Sequence, residues 1–194
     1  MNDNIIEMQI FDKSDTKIQI VCYTILIGEK YMDLEQYRDV WLGEKFNDFI
    51  GFYPREFFVF DNFSSFGIIM DEEFYPTIEH AYQSGKFIET APKIAEQIKK
   101  CLSAHEAQKI AFANRDKQAS NWDNVKVEYM EKLLRLKLQQ NPYVMKKLLQ
   151  TKDYIICEDS PKDDFWGIGF NRNGRNQLGK LWMKLRSELL NNID

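Results

Sequence analysis

From Thr77 onward, apolar residues recur every three to four positions, which predicts helices near residues 77–88, 91–100, 103–113, 121–139, 142–150 and 175–190. In the last of these, Leu178, Leu181, Trp182, Leu185 and Leu189 form a single apolar stripe. Asn141-Pro142 is the sharpest boundary: proline ends the long fourth helix and suits the first position of the fifth, with Asn141 as its cap. Short β-branched or aromatic runs predict strands at "FFVF" (57–60), "FGIIM" (66–70) and "YIICE" (154–158), with "MDEEFYP" reading as a turn. Upstream, "KIQIVCYTILIG" reads as a strand and "DLEQYRDVWLG" as a short helix stopped by Gly43. The expected fold is α+β, a mostly helical single domain over residues 51–194 with a few short strands, preceded by an N-terminal extension over residues 1–50 that is partly strand. No repeat, low-complexity tract or Pro/Gly-rich linker divides the chain further.

Composition narrows the function classes. A chain of 194 residues with 44% hydrophobic content can bury a full core, and its 14% aromatic content suits the binding of flat rings. The net charge of −4 disfavours a broad electrostatic grip on nucleic acid or acidic membranes, leaving at most a focused contact. Three widely spaced cysteines (Cys22, Cys101, Cys157) and two histidines fit reduced thiols in a cytoplasmic compartment and give no metal site. No apolar run is long enough for a membrane span, the polar start lacks a signal-peptide pattern, and no motif demands a cofactor.

Two stretches can carry chemistry. In "EFYPTIEHAYQSGKF", helical spacing puts Glu79, Gln83 and Lys86 on one stripe beside a small apolar stripe of Ile78, Ala81 and Gly85. Spacing alone favours a solvated charged face, and His80, off the stripe, reads as structural. In "ICEDSPKDDFWGIGFNRNGRNQLGKLWMKLR", Glu158 ends a strand, where partial burial would raise its pKa toward acid/base work; an exposed loop acid is the plain alternative. Phe165 and Trp166 stand beside Gly167 and Gly169, so either an indole stacks on a ligand or a core Trp sits next to turn glycines. The helix start after Gly174 offers free N–H groups and Arg175 to an anion. In "SNWDNVKVEYM", Trp122 lies in the first helical turn and either anchors the core or stacks on a base.

Taken in order, "FFVFDNF", "YPTIEHAYQSGKF", "SNWDNVKVEYM" and "EDSPKDDFWGIG…NGRNQLGKLWMKLRSEL" resemble the NADAR family of YbiA-like N-glycosidases, over roughly residues 55–190. The resemblance implies cleavage of the bond between a ribose and an exocyclic amine, in early riboflavin-pathway intermediates or in ADP-ribosylated guanine. It carries site roles onto Asn62, Phe63, Glu79, Tyr82, Lys86, Trp122, Glu158, Trp166, Gly167, Asn176 and Gly179. Where relatives are expected to have Ser-Asn-Phe, this chain has Asp61-Asn62-Phe63, an extra charge beside the ligand, and its glycine turn reads "GIGFNRNGRN".

The implied substrate is a phosphorylated ribosylamine or an ADP-ribosylated guanine, including a modified base in nucleic acid. Its chemistry assigns Glu79 or Glu158 to proton transfer and Lys86 to a transient Schiff base, with direct hydrolysis through an oxocarbenium-like state as the competing route. Trp122 and Trp166 would stack on the base, and Arg175 with Asn176 would hold phosphate. A catalytically inactive nucleotide or ADP-ribose binder is the alternative from a different functional class.

Overall fold

A computed structural model describes residues 49–52 and 57–191 of the chain. The strand and helix expected within residues 17–43, and all but the last two residues of the expected extension, lie outside that range. Among the described residues, the elements run β1 (Phe49–Phe52), a 3-10 turn (Phe58–Phe60), β2 (Ile68–Met70), β3 (Glu73–Tyr75), α1 (Ile78–Gly85), α2 (Pro92–Lys100), α3 (Ala104–Ala113), a second 3-10 turn (Arg115–Lys117), α4 (Trp122–Gln140), α5 (Pro142–Gln150), β4 (Ile155–Glu158) and α6 (Gln177–Asn191). The fold is therefore mostly helical with short strands, as the periodicity predicts.

Two local expectations change. Residues 57–60 form a turn rather than a strand: the amides of Phe60 and Asp61 fold back on the carbonyls of Phe57 and Phe58, which buries Phe57, Val59 and Phe60 and leaves Phe58 outside. The turn in "MDEEFYP" is confined to Asp71 and Glu72, both in the left-handed region (φ 53° and 67°), because Glu73–Tyr75 pairs antiparallel with β2 to close a hairpin. Asn141 flanks α5 as expected, but its side chain donates to the carbonyls of Gly67 and Lys137, tying the end of α4 to the β2 hairpin.

The remaining strands pair in parallel: β1 lies beside β4 in the register Phe49↔Ile155 to Phe52↔Glu158. Helix α6 packs on β4 at its Gly179, where an added Cβ would lie 2.0 Å from the Ile156 carbonyl oxygen. The core is continuous from the 57–60 turn through α1, α4 and α6 and is centred on Trp182, whose indole N–H donates to the Phe60 carbonyl at 3.1 Å. A smaller cluster, Phe87, Ala95, Ile98, Ala107 and Ala111, joins α2 and α3 to the end of α1. Helix α1 is thus enclosed on most of its surface, which determines the state of its polar side chains.

Candidate active site

Helix α1 begins at Thr77, whose hydroxyl accepts from the His80 amide at 3.3 Å. His80 is structural: its Nδ1 meets the Thr77 hydroxyl at 2.8 Å and its Nε2 the Cys101 carbonyl at 3.2 Å. The polar stripe on the other face is not solvated. Glu79 is only 6% exposed, and Gln83 beside it donates from Nε2 to Glu79 Oε1 at 2.7 Å. Burial pushes the Glu79 carboxyl up to about 7, against the pull of Gln83 and of the Lys86 charge. Lys86, just past the last turn of α1, is half-buried, with its Nζ 5.1 Å from the centre of the Tyr82 ring. Burial lowers its pKa and nearby Lys126 adds to that effect, while Glu79 opposes it.

Glu158 reaches the same region from the end of β4. Burial is the main cause that raises its pKa to about 8, with the charges of Asp163, Asp61 and Glu79 acting in the same direction. Its position is set from beneath. The Glu158 amide donates to Asn176 Oδ1 at 3.0 Å, Asn176 Nδ2 donates to the Ile156 carbonyl at 2.8 Å, and the Glu158 carbonyl accepts from the Ile168 amide at 2.9 Å. Gly167 permits this last approach, since a Cβ there would lie 2.7 Å from the Glu158 carbonyl oxygen. Asn176 and Gly167 thus stand behind Glu158, with both polar ends of the Asn176 side chain already engaged.

Aromatic rings form the wall. Tyr82 packs edge-on against Trp122 (centroids 5.2 Å) and Trp166 (5.6 Å), and Trp166 against Phe165 (5.0 Å). Trp122 is buried in the core cluster, whereas Trp166 is half-buried at its margin. Burial raises the Tyr82 phenol far above its ordinary value, so it stays protonated. On the opposite side, the Asn62 carbonyl accepts from the Glu79 amide at 3.0 Å and Phe63 is 39% exposed at the rim.

The start of α6 does not offer the free N–H groups that its sequence suggests. The amides of Gly174, Arg175, Asn176, Gln177 and Leu178 donate to the carbonyls of Ile168, Asp164, Gly167, Phe165 and Trp166, respectively. An anion at this end has to be held by side chains. The cations present are Arg175, 5.5 Å from the Phe165 ring centre, and Lys126, 4.1 Å from it and paired with Asp123.

Three contributors were not singled out from the sequence. Lys126 lies one turn beyond Trp122, a spacing that could have drawn attention to it. Asp163 accepts at Oδ1 from the amides of Phe165 and Trp166, and so sets the loop that presents both rings. Lys137 is fully buried, and burial brings its pKa down to about 7; its Nζ donates to the Asp61 carbonyl and to Ser64 Oγ beneath Asn62. Nothing local in the sequence marks Lys137.

Among the described residues, four enclosed side-chain atoms lack a hydrogen-bond partner: Asn62 Oδ1, Gln83 Oε1, Trp122 Nε1 and Glu158 Oε2. Buried polar atoms are ordinarily paired, and all four belong to residues in this one region. The arrangement gathers two carboxyls raised toward neutrality, one desolvated amine, a set of packed aromatic rings and unpaired polar atoms.

Comparison with known proteins identifies relatives of this chain. The chain is 34% identical over 133 residues to an N-glycosidase of Nostoc punctiforme, covering 68% of this chain and 85% of that protein. It is 34% identical over 130 residues to the N-glycosidase YbiA of Escherichia coli strain K12, covering 67% and 80%. A maize chloroplastic protein named riboflavin biosynthesis protein PYRR is 34% identical over 150 residues, 71% of this chain but 24% of its own length. The solution structure of Escherichia coli YbiA superposes with a TM-score of 0.68 at 30% identity, covering 83% of this chain and 95% of that one. Among the described residues no helix is long and apolar enough to cross a membrane. With the NADAR domain pattern matching residues 40–190, the chain belongs to the NADAR family.

Proposed function

We propose that this protein is an N-glycosidase that hydrolyses the bond between a phosphorylated ribose, or ADP-ribose, and an exocyclic amine of a pyrimidine or guanine-derived base. One observation carries the reading: the Glu79 carboxyl, pushed up to about 7, lies within electrostatic reach of both the desolvated Lys86 and Glu158, which is pushed up to about 8. Carboxyls so placed exchange protons at neutral pH, and a lysine with a lowered pKa supplies neutral amine.

The chemistry follows from those states. Protonated Glu158 gives its proton to the ring oxygen; the lone pair of the exocyclic nitrogen moves in, the C1–O bond breaks and an open-chain iminium forms. Lys86, deprotonated toward Glu79, adds to C1. Proton transfer to the base nitrogen lets the C1–N bond break, freeing the base amine and leaving C1 joined to Lys86 as a Schiff base. Water adds to that carbon, Lys86 departs, and ribose recloses, so the net change is glycosylamine plus water to sugar plus amine. Direct attack of water on an oxocarbenium-like centre gives the same products without the lysine adduct.

The electrostatics also orient the substrate. The charges of Asp61 and Asp163 act on both Glu79 and Glu158, and Glu79 acts on Glu158, which disfavours a phosphate beside these carboxyls. Lys126 and Arg175 around Phe165 favour the phosphate or pyrophosphate at the rim, and Trp166 with exposed Phe63 suits the base. The free thiols of Cys101 and Cys157 fit a reducing, cytoplasmic setting.

The deciding experiment compares base release from a ribosylaminopyrimidine 5′-phosphate with release of guanine from an ADP-ribosylated guanine, by mass spectrometry, with borohydride present in a parallel reaction. Release from either substrate identifies the enzyme and its substrate class, and a reduced adduct on Lys86 identifies the imine route. Binding of both without release would establish the inactive ADP-ribose-binding reading instead.

A further inference from the structure

Gln83 is the residue of the pocket to which neither the family motifs nor the proton-transfer scheme gives a task. It is buried, one helical turn from Glu79, and its two amide ends differ: Nε2 is spent on Glu79 Oε1 at 2.7 Å, while Oε1 is enclosed and unpaired. Asn62 Oδ1, from the loop whose backbone bonds the Glu79 amide, is unpaired as well. An amide oxygen is only an acceptor, and leaving one buried without a donor is unfavourable. Two such oxygens, one on the side chain bonded to the Glu79 carboxyl and one on the loop bonded to the Glu79 amide, call for a ligand that brings donors.

Resting on the N-glycosidase reading, the choice of donor follows from position. In the scheme above Lys86 adds to C1 after giving its proton toward Glu79, and Gln83 lies between those two residues on the α1 stripe, which puts the sugar nearest to it. The exocyclic nitrogen gains a proton and departs during the reaction, and a phosphate monoester is largely ionised at neutral pH, so neither is a lasting donor. What remains next to C1 is the sugar hydroxyl on C2, with that on C3 behind it. We infer that Gln83 is a specificity residue whose amide oxygen, together with that of Asn62, accepts hydrogen bonds from the vicinal hydroxyls of ribose, while its amide nitrogen fixes the Glu79 carboxylate. The site thereby selects ribose over 2-deoxyribose, because the deoxy sugar leaves a buried oxygen unpaired.

The test pairs turnover with binding in the full chain. Background-corrected kcat/KM is measured for a ribosylaminopyrimidine 5′-phosphate and its 2-deoxyribosyl counterpart, in the wild type and in Gln83→Met, which keeps the length of the side chain and removes both amide atoms. Calorimetric titration with ribose 5-phosphate and 2-deoxyribose 5-phosphate gives a readout that does not require turnover, and circular dichroism verifies folding. The wild type is expected to favour the ribosyl substrate by about 100-fold or more. Gln83→Met is expected to reduce that ratio to below about 10 and to move the pH limb set by Glu79 upward, as loss of the Gln83 donor requires. Gln83→Glu, which keeps an acceptor, is expected to retain part of the sugar preference.

If the wild type turns over its substrate and Gln83→Met keeps the full ribose preference, the inference is overturned while the N-glycosidase reading stands. If the wild type releases no base yet binds ribose 5-phosphate selectively, and Gln83→Met loses that selectivity, the enzymatic reading falls and the sugar contact stands. Equal or absent binding of the two sugar phosphates by a wild type without turnover overturns both.

Discussion

Lys137, near the end of α4, donates from Nζ to the backbone carbonyl of Asp61 at 2.9 Å, joining residues 76 positions apart. The same ammonium reaches Ser64 Oγ at 2.8 Å, so one buried lysine holds both ends of the loop that carries Asn62 and Phe63. The cost of burying it is visible in its pKa, lowered to about 7 with only the Asp61 charge opposing.

That lysine predicts a pH-dependent stability. Its folded pKa lies below the ordinary 10.5, so between about 7 and 10.5 the unfolded chain holds more protons than the folded one. Stability attributable to Lys137 therefore rises with pH across that window. Urea unfolding at pH 7.0 and 9.5 should show the wild type gaining on Lys137→Met as pH rises. The variant should also raise KM, because the Asp61 carbonyl and Ser64 Oγ lose their donor.

The two carboxyls give the opposite sign. With folded values of about 7 and about 8 against an ordinary 4.5, the folded state holds extra protons between pH 4.5 and 8, so stability from Glu79 and Glu158 falls as pH rises through that range. Glu79→Gln and Glu158→Gln should each be more stable than the wild type at pH 8, by on the order of 2 kcal/mol, with the difference shrinking toward pH 5. Each should lower kcat by ~10²- to 10⁴-fold. Thermal melts across pH and steady-state rates check both halves.

Lys126 and Arg175 flank Phe165 but differ in what else they reach. Lys126 adds to the lowering of the Lys86 pKa, and Arg175 has no such effect. Lys126→Met and Arg175→Ala should both raise KM for a phosphorylated substrate and spare an unphosphorylated one. Only Lys126→Met should move the pH midpoint of borohydride trapping at Lys86 upward, since a neighbouring cation that favours the neutral amine has been removed.

Gly179 supports Glu158 from a distance. A methyl group there would fall 2.0 Å from the Ile156 carbonyl oxygen and 2.5 Å from Asn176 Oδ1, the atom that accepts from the Glu158 amide. Gly179→Ala should destabilise the protein by about 1–3 kcal/mol and depress kcat beyond what the stability loss explains. Denaturant titration alongside kinetics at a temperature where the variant is folded separates the two effects.

The helices α1 to α6 were legible because their signals are local: apolar spacing, Pro92 and Pro142 at first helical positions, and Ser103 and Thr77 as caps whose hydroxyls accept from backbone amides. The turn at Phe58–Phe60 was misread as a strand because four residues rich in Phe and Val satisfy strand composition, while the direction of burial is set by Trp182, more than 120 positions later. The hairpin strand Glu73–Tyr75 was hidden by its acidic start and is made a strand by its partner β2.

By itself, the sequence determined which residues share a helix face, so that Glu79, Gln83 and Lys86 point one way, and it placed Glu158, Trp166 and Asn176 in one loop-bounded segment. Those relations depend only on residues near one another in sequence, from turn spacing within α1 to the short segment 158–176. The tertiary structure alone decided that this face is buried, that β4 brings Glu158 to it, that the amides opening α6 are consumed by the 164–168 loop, and that Lys137 lies beneath Asn62. Desolvation and hydrogen-bond satisfaction arise from whatever packs against a group, and here the packing partners are distant in sequence. The same stripe that would be a solvated surface on an isolated helix becomes a near-neutral acid, its amide partner and a desolvated amine once the fold closes over it.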